Sequence, residues 1–160
     1  MKMGLSLAFL VLGLLVASVD PAGAQLADKK ALTLAAAETM MAAAKAEALK
    51  NNWRMVIVVV DEGGHPIHMS RIDDTQYGSI DIALGKAQTA TALKRPSKAL
   101  EDAVAGGRTA ILGLKGITPL QGALPVVVNG QVVGAVGVSG GTSQQDEQVA
   151  KAGVDALVVK

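Results

Sequence analysis

Only two side chains of this 160-residue chain can bind a metal as imidazoles, and both stand in one stretch, Val58-Val59-Val60-Asp61-Glu62-Gly63-Gly64-His65-Pro66-Ile67-His68. A histidine beside an apolar surface can ligate a metal ion, titrate near neutral pH or carry a proton. His65 and His68 are three residues apart, and on a regular strand successive side chains point to opposite faces. The pair therefore cannot hold one metal together. Alternation puts His65 with Ile67 and Met69, and His68 with Ser70. Two roles are open to His65: a ligand at the rim of an apolar face, or a turn residue bonded to Asp61. His68 reads as a solvated or interface residue.

Other reactive groups are sparse. There is no cysteine, which excludes disulfides and covalent heme attachment through C-x-x-C-H. Gly137-Val138-Ser139-Gly140-Gly141 matches G-x-S-x-G in outline, but no histidine follows Ser139 to serve as its base. The same turn at a helix start suits an anion. Fifteen Lys and Arg against fourteen Asp and Glu are interspersed along the chain, so there is no basic footprint for nucleic acid.

The elements that must position these residues follow from the pattern. Met1-Lys2, an apolar run from Leu5 to Val16 and Ala22-Gly23-Ala24 read as a signal peptide over residues 1–24, with cleavage leaving Gln25 first. The run is shorter than the ~20 residues a membrane span needs. A soluble periplasmic or secreted protein is expected, with residues 25–160 as one domain. Thr33 is a candidate N-cap for a helix running to Lys50, stopped by Asn51-Asn52. Met55 to Val60 is a β-branched run suited to a central strand covered on both faces. Gly63-Gly64 turns the chain into a return strand from His65 to Ile72. Ile80, Ala83, Leu84 and Ala87 mark a helix from Ile80 to Lys94, broken at Pro96, and a second short helix starts at Ser97. A glycine-punctuated segment, Gly113 to Gly122, holds Ile117-Thr118-Pro119-Leu120. Asn129-Gly130 joins strands Leu124–Val128 and Val132–Val138 as a type I′ hairpin. A last helix opens at Thr142 or Ser143, with Asp146 and Glu147 in its first turn. This order specifies an α/β sandwich around a mostly antiparallel sheet.

Five segments together carry a family likeness: V-V-D-E-G-G-H, I-D-I-A-L-G-K-A-Q-T-A, R-P-S-K-A-L, G-I-T-P-L-Q-G-A-L-P and G-A-V-G-V-S-G-G-T-S-Q-Q-D-E-Q-V-A-K-A-G. In this order they resemble the GlcG/HbpS family of small heme-binding proteins, related to the carboxyl-terminal domain of PduO. The resemblance implies a profilin-like fold, a five-stranded antiparallel sheet with helices on both faces, and homo-oligomers. It implies non-covalent heme binding for reversible carriage, sensing or protection outside the cytoplasm. It places the iron contact at Thr118, as in the exported branch, or at His65, as in the PduO-like branch. A D/E-x-x-E iron motif found in exported streptomycete members is missing from this chain.

A hydroxyl is a weak donor beside imidazole or thiolate, so Thr118 suits reversible carriage better than redox catalysis. Thr118 can equally cap the turn begun at Pro119. Gly116, Pro119, Leu120 and Gly122 fit a flat porphyrin or a tightly packed loop. With Phe9 lost alongside the signal, Trp53 and Tyr77 are the remaining aromatics, so the walls of a heme site fall to aliphatic residues. Arg71, Lys86, Arg95 and Arg108 are candidates for the propionates, Lys86 and Arg95 lying in the matched segments. The competing reading is an accessory or structural oligomer that binds a small organic acid or a corrinoid-like ligand without catalysis. Weak heme degradation is the one enzymatic activity consistent with the first reading.

Overall fold

β-branched residues from Val56 to Val60 are fully buried and form the centre of the sheet. In the computed structural model, which describes residues 27–157, they belong to strand β1, Val56–Asp61. The segment read as a signal peptide lies outside the described residues.

Helix α1, Leu34–Lys50, precedes β1; its first turn is capped by Thr33, whose Oγ1 accepts from the Ala36 N–H. Strand β2, Pro66–Arg71, follows β1, and then come helices α2, Gly78–Ala92, and α3, Lys98–Ala105. A 3-10 turn at Thr109–Gly113 leads to β3, Ala123–Val128, β4, Gln131–Ser139, and helix α4, Ser143–Asp155. Asn129 and Gly130 both have positive φ, 50° and 78°, as a type I′ turn requires. Thr142 closes a reciprocal capping box with Gln145 at the start of α4.

All strand pairs are antiparallel, in the order β2-β1-β4-β3. The expected sandwich is present, but the sheet has four strands among the described residues rather than five. Residues 114–122 do not extend the sheet. Gly116 and Gly122 adopt positive φ there, and Pro119 lacks the N–H that a ladder needs.

The two faces of the sheet are covered differently. Ile57 and Val59 of β1, with Val136 and Val138 of β4, meet α1 and α4 through Met40, Ala44 and Val149. Val56, Val58 and Val60 meet α2 through Ala83, Ala87 and Ala90. On this side α2 comes down onto Gly137 of β4: a Cβ there would collide with the Ala83 carbonyl and lie 2.7 Å from the Ala87 methyl. Each fully buried Val is worth ~1.5–3 kcal/mol of transfer free energy, so β1 anchors both layers. None of the described helices is long and apolar enough to cross a membrane.

Candidate functional site

Asp61 organises the first hairpin. Its Oδ1 accepts from the N–H groups of Gly63 and His65, both at 2.8 Å, while Gly64 takes a left-handed φ of 82°. Partial burial pushes the Asp61 carboxyl up, but these two donors and the nearby imidazole outweigh it and hold the group below its usual range. His65 Nδ1 lies 3.4 Å from the same oxygen, and the ring is 81% exposed. The hairpin is tied to α2 by Gln88, whose amide donates to the Gly64 carbonyl.

The expected alternation along β2 is broken. Val59 pairs with His68 and Val60 with Pro66, so Ile67 is the extra residue of a bulge. His65 consequently shares no face with Ile67 and Met69. Ile67 packs with the α1 and α4 core, Met69 pairs with Val58 on the α2 side, and His65 stands outside the strand. His68 is half-buried opposite Val59.

Thr118 is set by α2. Its N–H donates to Thr89 Oγ1 at 2.8 Å, and the Thr89 hydroxyl donates in turn to the Gly85 carbonyl at 2.8 Å. A Cβ on Gly85 would overlap Thr118 Oγ1 and lie 3.2 Å from Thr118 Cβ. The Thr118 hydroxyl has no hydrogen-bond partner among the described residues. Pro119 is half-buried, and Gly116, with φ 73°, faces open space. Leu112, Leu114 and Leu120 of the same segment are exposed.

Lys86 is not available to a carboxylate outside the chain. Its Nζ is buried, 2.7 Å from Asp146 Oδ2 and 3.1 Å from the Val138 carbonyl. Burial pushes the Asp146 carboxyl up, against the pull of the Lys86 ammonium and of the Gly141 N–H, which donates to Oδ1. Gly122, φ 130°, packs against this pair: a Cβ there would lie 2.7 Å from Asp146 Cβ and 2.8 Å from Lys86 Nζ. Among the other cations, Arg95 is exposed with its Nε–H on the Leu93 carbonyl, Arg108 is exposed, and Arg71 stacks 4.8 Å from the centre of the Tyr77 ring.

The hairpin and the Thr118 loop thus bracket one helix from separate flanks. Thr118 meets Gly85 and Thr89; the hairpin meets Gln88 and Thr91. At 100° per residue these flanks are roughly 110° apart around α2. A 360 Å³ cavity is lined by the hairpin residue Glu62 with Lys29, Lys30, Thr91, Lys94 and Gln131, and it includes neither Thr118 nor His65. Gly85, Thr89 and Asp146 are the site residues that sequence reasoning passed over. A glycine inside a helical pattern is the signal that would have drawn attention to Gly85.

Ser139 is no nucleophile here. It is buried, and its Oγ is 3.2 Å from Ser79 Oγ. It pairs with Val56, whereas His65 lies beyond Asp61 at the far end of β1, roughly 17 Å away at ~3.3 Å per residue. Among the described residues no three His, Asp or Glu side chains come together as a metal site.

Comparisons with known proteins agree with this architecture. A family model described as "Haem degrading protein HbpS-like" matches residues 32–155. A 15.0 kDa protein of Citrobacter freundii, from the dhaT-dhaS intergenic region, is 44% identical over 131 residues, covering 79% of this chain and 92% of that protein. Protein GlcG of Escherichia coli K12 is 46% identical over 103 residues, covering 64% and 77% of the two chains. Among solved structures, a double mutant of Streptomyces reticuli HbpS superposes with a TM-score of 0.79 at 33% identity, covering 89% of this chain and 98% of that one. The PduOC:heme complex superposes with a TM-score of 0.75 at 27% identity, covering 80% and 96%. With the family match spanning nearly all of the described fold, the chain belongs to the HbpS-like family.

Proposed function

We propose that this chain binds heme non-covalently, as an exported, homo-oligomeric protein of profilin-like type that carries, senses or sequesters it. The observation that carries the reading is the likeness, over 96% of that chain, to a solved PduOC structure that contains heme. Thr118 supports it from within the chain, as a half-buried residue whose hydroxyl is held against α2 beside a segment with exposed Leu112, Leu114 and Leu120.

The residues present fit a loosely held heme. The 360 Å³ cavity lies apart from Thr118, so the ring rests on an open apolar surface of the kind that a second copy of the chain can cover. Bound heme supplies an iron centre with open coordination, and the protein supplies donor, walls and counter-charge. Thr118 offers the iron contact, with Gly116 and Pro119 shaping the backbone beside it. His65 is the second donor, on the other flank of α2; its exposed ring must leave Asp61 to reach a ligand. Of the two candidates Lys86 and Arg95, Arg95 is the one that remains at the surface for a propionate. Weak ligation through a hydroxyl fits reversible carriage.

A second reading has its own observation. Lys29, Lys30 and Lys94 line the 360 Å³ cavity, where a small organic acid fits between the hairpin tips, although Asp28 and Glu62 share the lining. Hemin titration separates the two. Heme binding predicts a saturable Soret change, lost in Thr118→Ala or in His65→Ala, and the variant that loses it names the ligand. Non-saturable absorption retained by both variants refutes the heme reading.

A further inference from the structure

We propose that Gly85 and Thr89 of α2 are positioning residues that set the pose in which the Thr118 hydroxyl meets heme. This rests on the reading of Thr118 as the iron contact.

Glycine inside a helix costs about 1 kcal/mol relative to alanine, so a glycine at position 85 calls for a local cause. Neither a turn nor positive φ supplies one, because Gly85 sits well within α2 and is absent from the positive-φ glycines. The cause is the approach of one side chain. The three nearest atoms to a Cβ at position 85 are all Thr118 side-chain atoms, with Oγ1 nearest. Gly78 and Gly113, by contrast, have nothing within 4 Å of a built Cβ. The atom that an alanine at position 85 would displace is the same atom assigned to the ligand.

Thr89 fixes the backbone of that residue. It is fully buried, and its hydroxyl is used twice, donating to the Gly85 carbonyl and accepting the Thr118 N–H. One helix turn therefore holds Thr118 at two points: a bond to its N–H at position 89 and a vacant Cβ site under its hydroxyl at position 85. Groups that orient a metal ligand in this way typically change affinity roughly 10- to 100-fold when removed.

The test is a hemin titration with Soret spectra on the full chain, in parallel with thermal melts, for Gly85→Ala, Thr89→Val, Thr89→Ser, Thr118→Ala and the Gly85→Ala/Thr118→Ala double variant. Gly85→Ala and Thr89→Val are expected to shift the Soret maximum and weaken hemin binding roughly 10- to 100-fold. Thr89→Ser keeps the hydroxyl and is expected to behave as wild type. In the double variant the displaced Oγ1 is gone and only the 3.2 Å approach to Cβ remains, so its spectrum and affinity should lie close to those of Thr118→Ala, with no second loss of comparable size. If Gly85→Ala does not fold, the contrast between Thr89→Val and Thr89→Ser still decides. Wild-type spectra and affinity in Thr89→Val, or an independent loss on adding Gly85→Ala to Thr118→Ala, overturn the positioning role alone. Failure of wild type to bind hemin saturably, or wild-type binding by Thr118→Ala, overturns the underlying reading as well.

Discussion

Removing one partner of the Lys86–Asp146 pair should be among the most damaging single changes to this fold. Both side chains are 3% exposed, and their partners are all internal: Asp146 Oδ2 and the Val138 carbonyl for Lys86, the Lys86 ammonium and the Gly141 N–H for Asp146. Asp146→Ala leaves a buried ammonium with one neutral acceptor, an uncompensated charge that costs ~3–5 kcal/mol. At ~2–4 °C per kcal/mol for a domain of this size, the midpoint should fall by about 6–20 °C. Trp53, the one tryptophan, packs against the larger core cluster and reports unfolding by its fluorescence in urea. The double variant Lys86→Met/Asp146→Leu removes both charges at similar volume and should lose less than Asp146→Ala alone, the remaining cost being the Gly141 N–H left without its acceptor. A loss below about 1 kcal/mol in Asp146→Ala, or a double variant that loses the sum of the single effects, would refute the account of this pair as a mutually dependent buried unit.

Asp61 and Gly137 give two further tests. The Asp61 carboxyl is held below the ordinary aspartate value of 3.8, so its stabilising contribution is complete above that value and is lost as pH falls through the lower folded one. Asp61→Ala is expected to cost ~1–2 kcal/mol at neutral pH, discounted for its partial exposure, and urea midpoints of variant and wild type should converge as pH falls below the ordinary aspartate range; a constant gap down through that range contradicts the Asp61 turn. Gly137→Ala forces a methyl against the Ala83 carbonyl and is expected to cost ~1–3 kcal/mol by overpacking. Unchanged thermal stability in that variant would mean that α2 does not sit on the sheet as closely as described.

Local patterns were legible in the chain, and distant partners were not. Asn129-Gly130 specifies a type I′ turn by itself, and Thr33 and Thr142 announce the helices they cap, because each signal is completed within a few residues. The buried β1 run and the helices on both faces follow from periodicity. The bulge at Ile67 depends on how β2 pairs with Val59 and Val60, so alternation read from β2 alone assigned His65, Ile67 and Met69 to one face. Lys86 looks like a surface charge because its partner, Asp146, is 60 residues away. Position 85 stands out as a glycine in a helix, but the residue resting on it comes from the 116–122 loop, which no periodicity describes.

The difference between the two faces explains why the candidate site gathers around α2. On the α1 and α4 side, Met40, Ile57, Val59, Val136 and Val149 fill the space between helix and sheet with branched or long side chains. On the α2 side, the helix offers Ala83, Ala87 and Ala90, and β4 offers Gly137 beneath them, so the α2 backbone comes close to the sheet. A helix seated this low has flanks within side-chain reach of the neighbouring loops and of β4. Gln88 reaches the Gly64 carbonyl, Lys86 reaches the Val138 carbonyl, and Thr89 receives the Thr118 N–H. Close-packed interiors transmit small displacements rather than absorbing them. The positions of the hairpin and the Thr118 loop are therefore set by the same small residues that seat α2. A volume change at Gly137, more than 15 residues from Thr118 in sequence, should reach the proposed ligand through the helix between them.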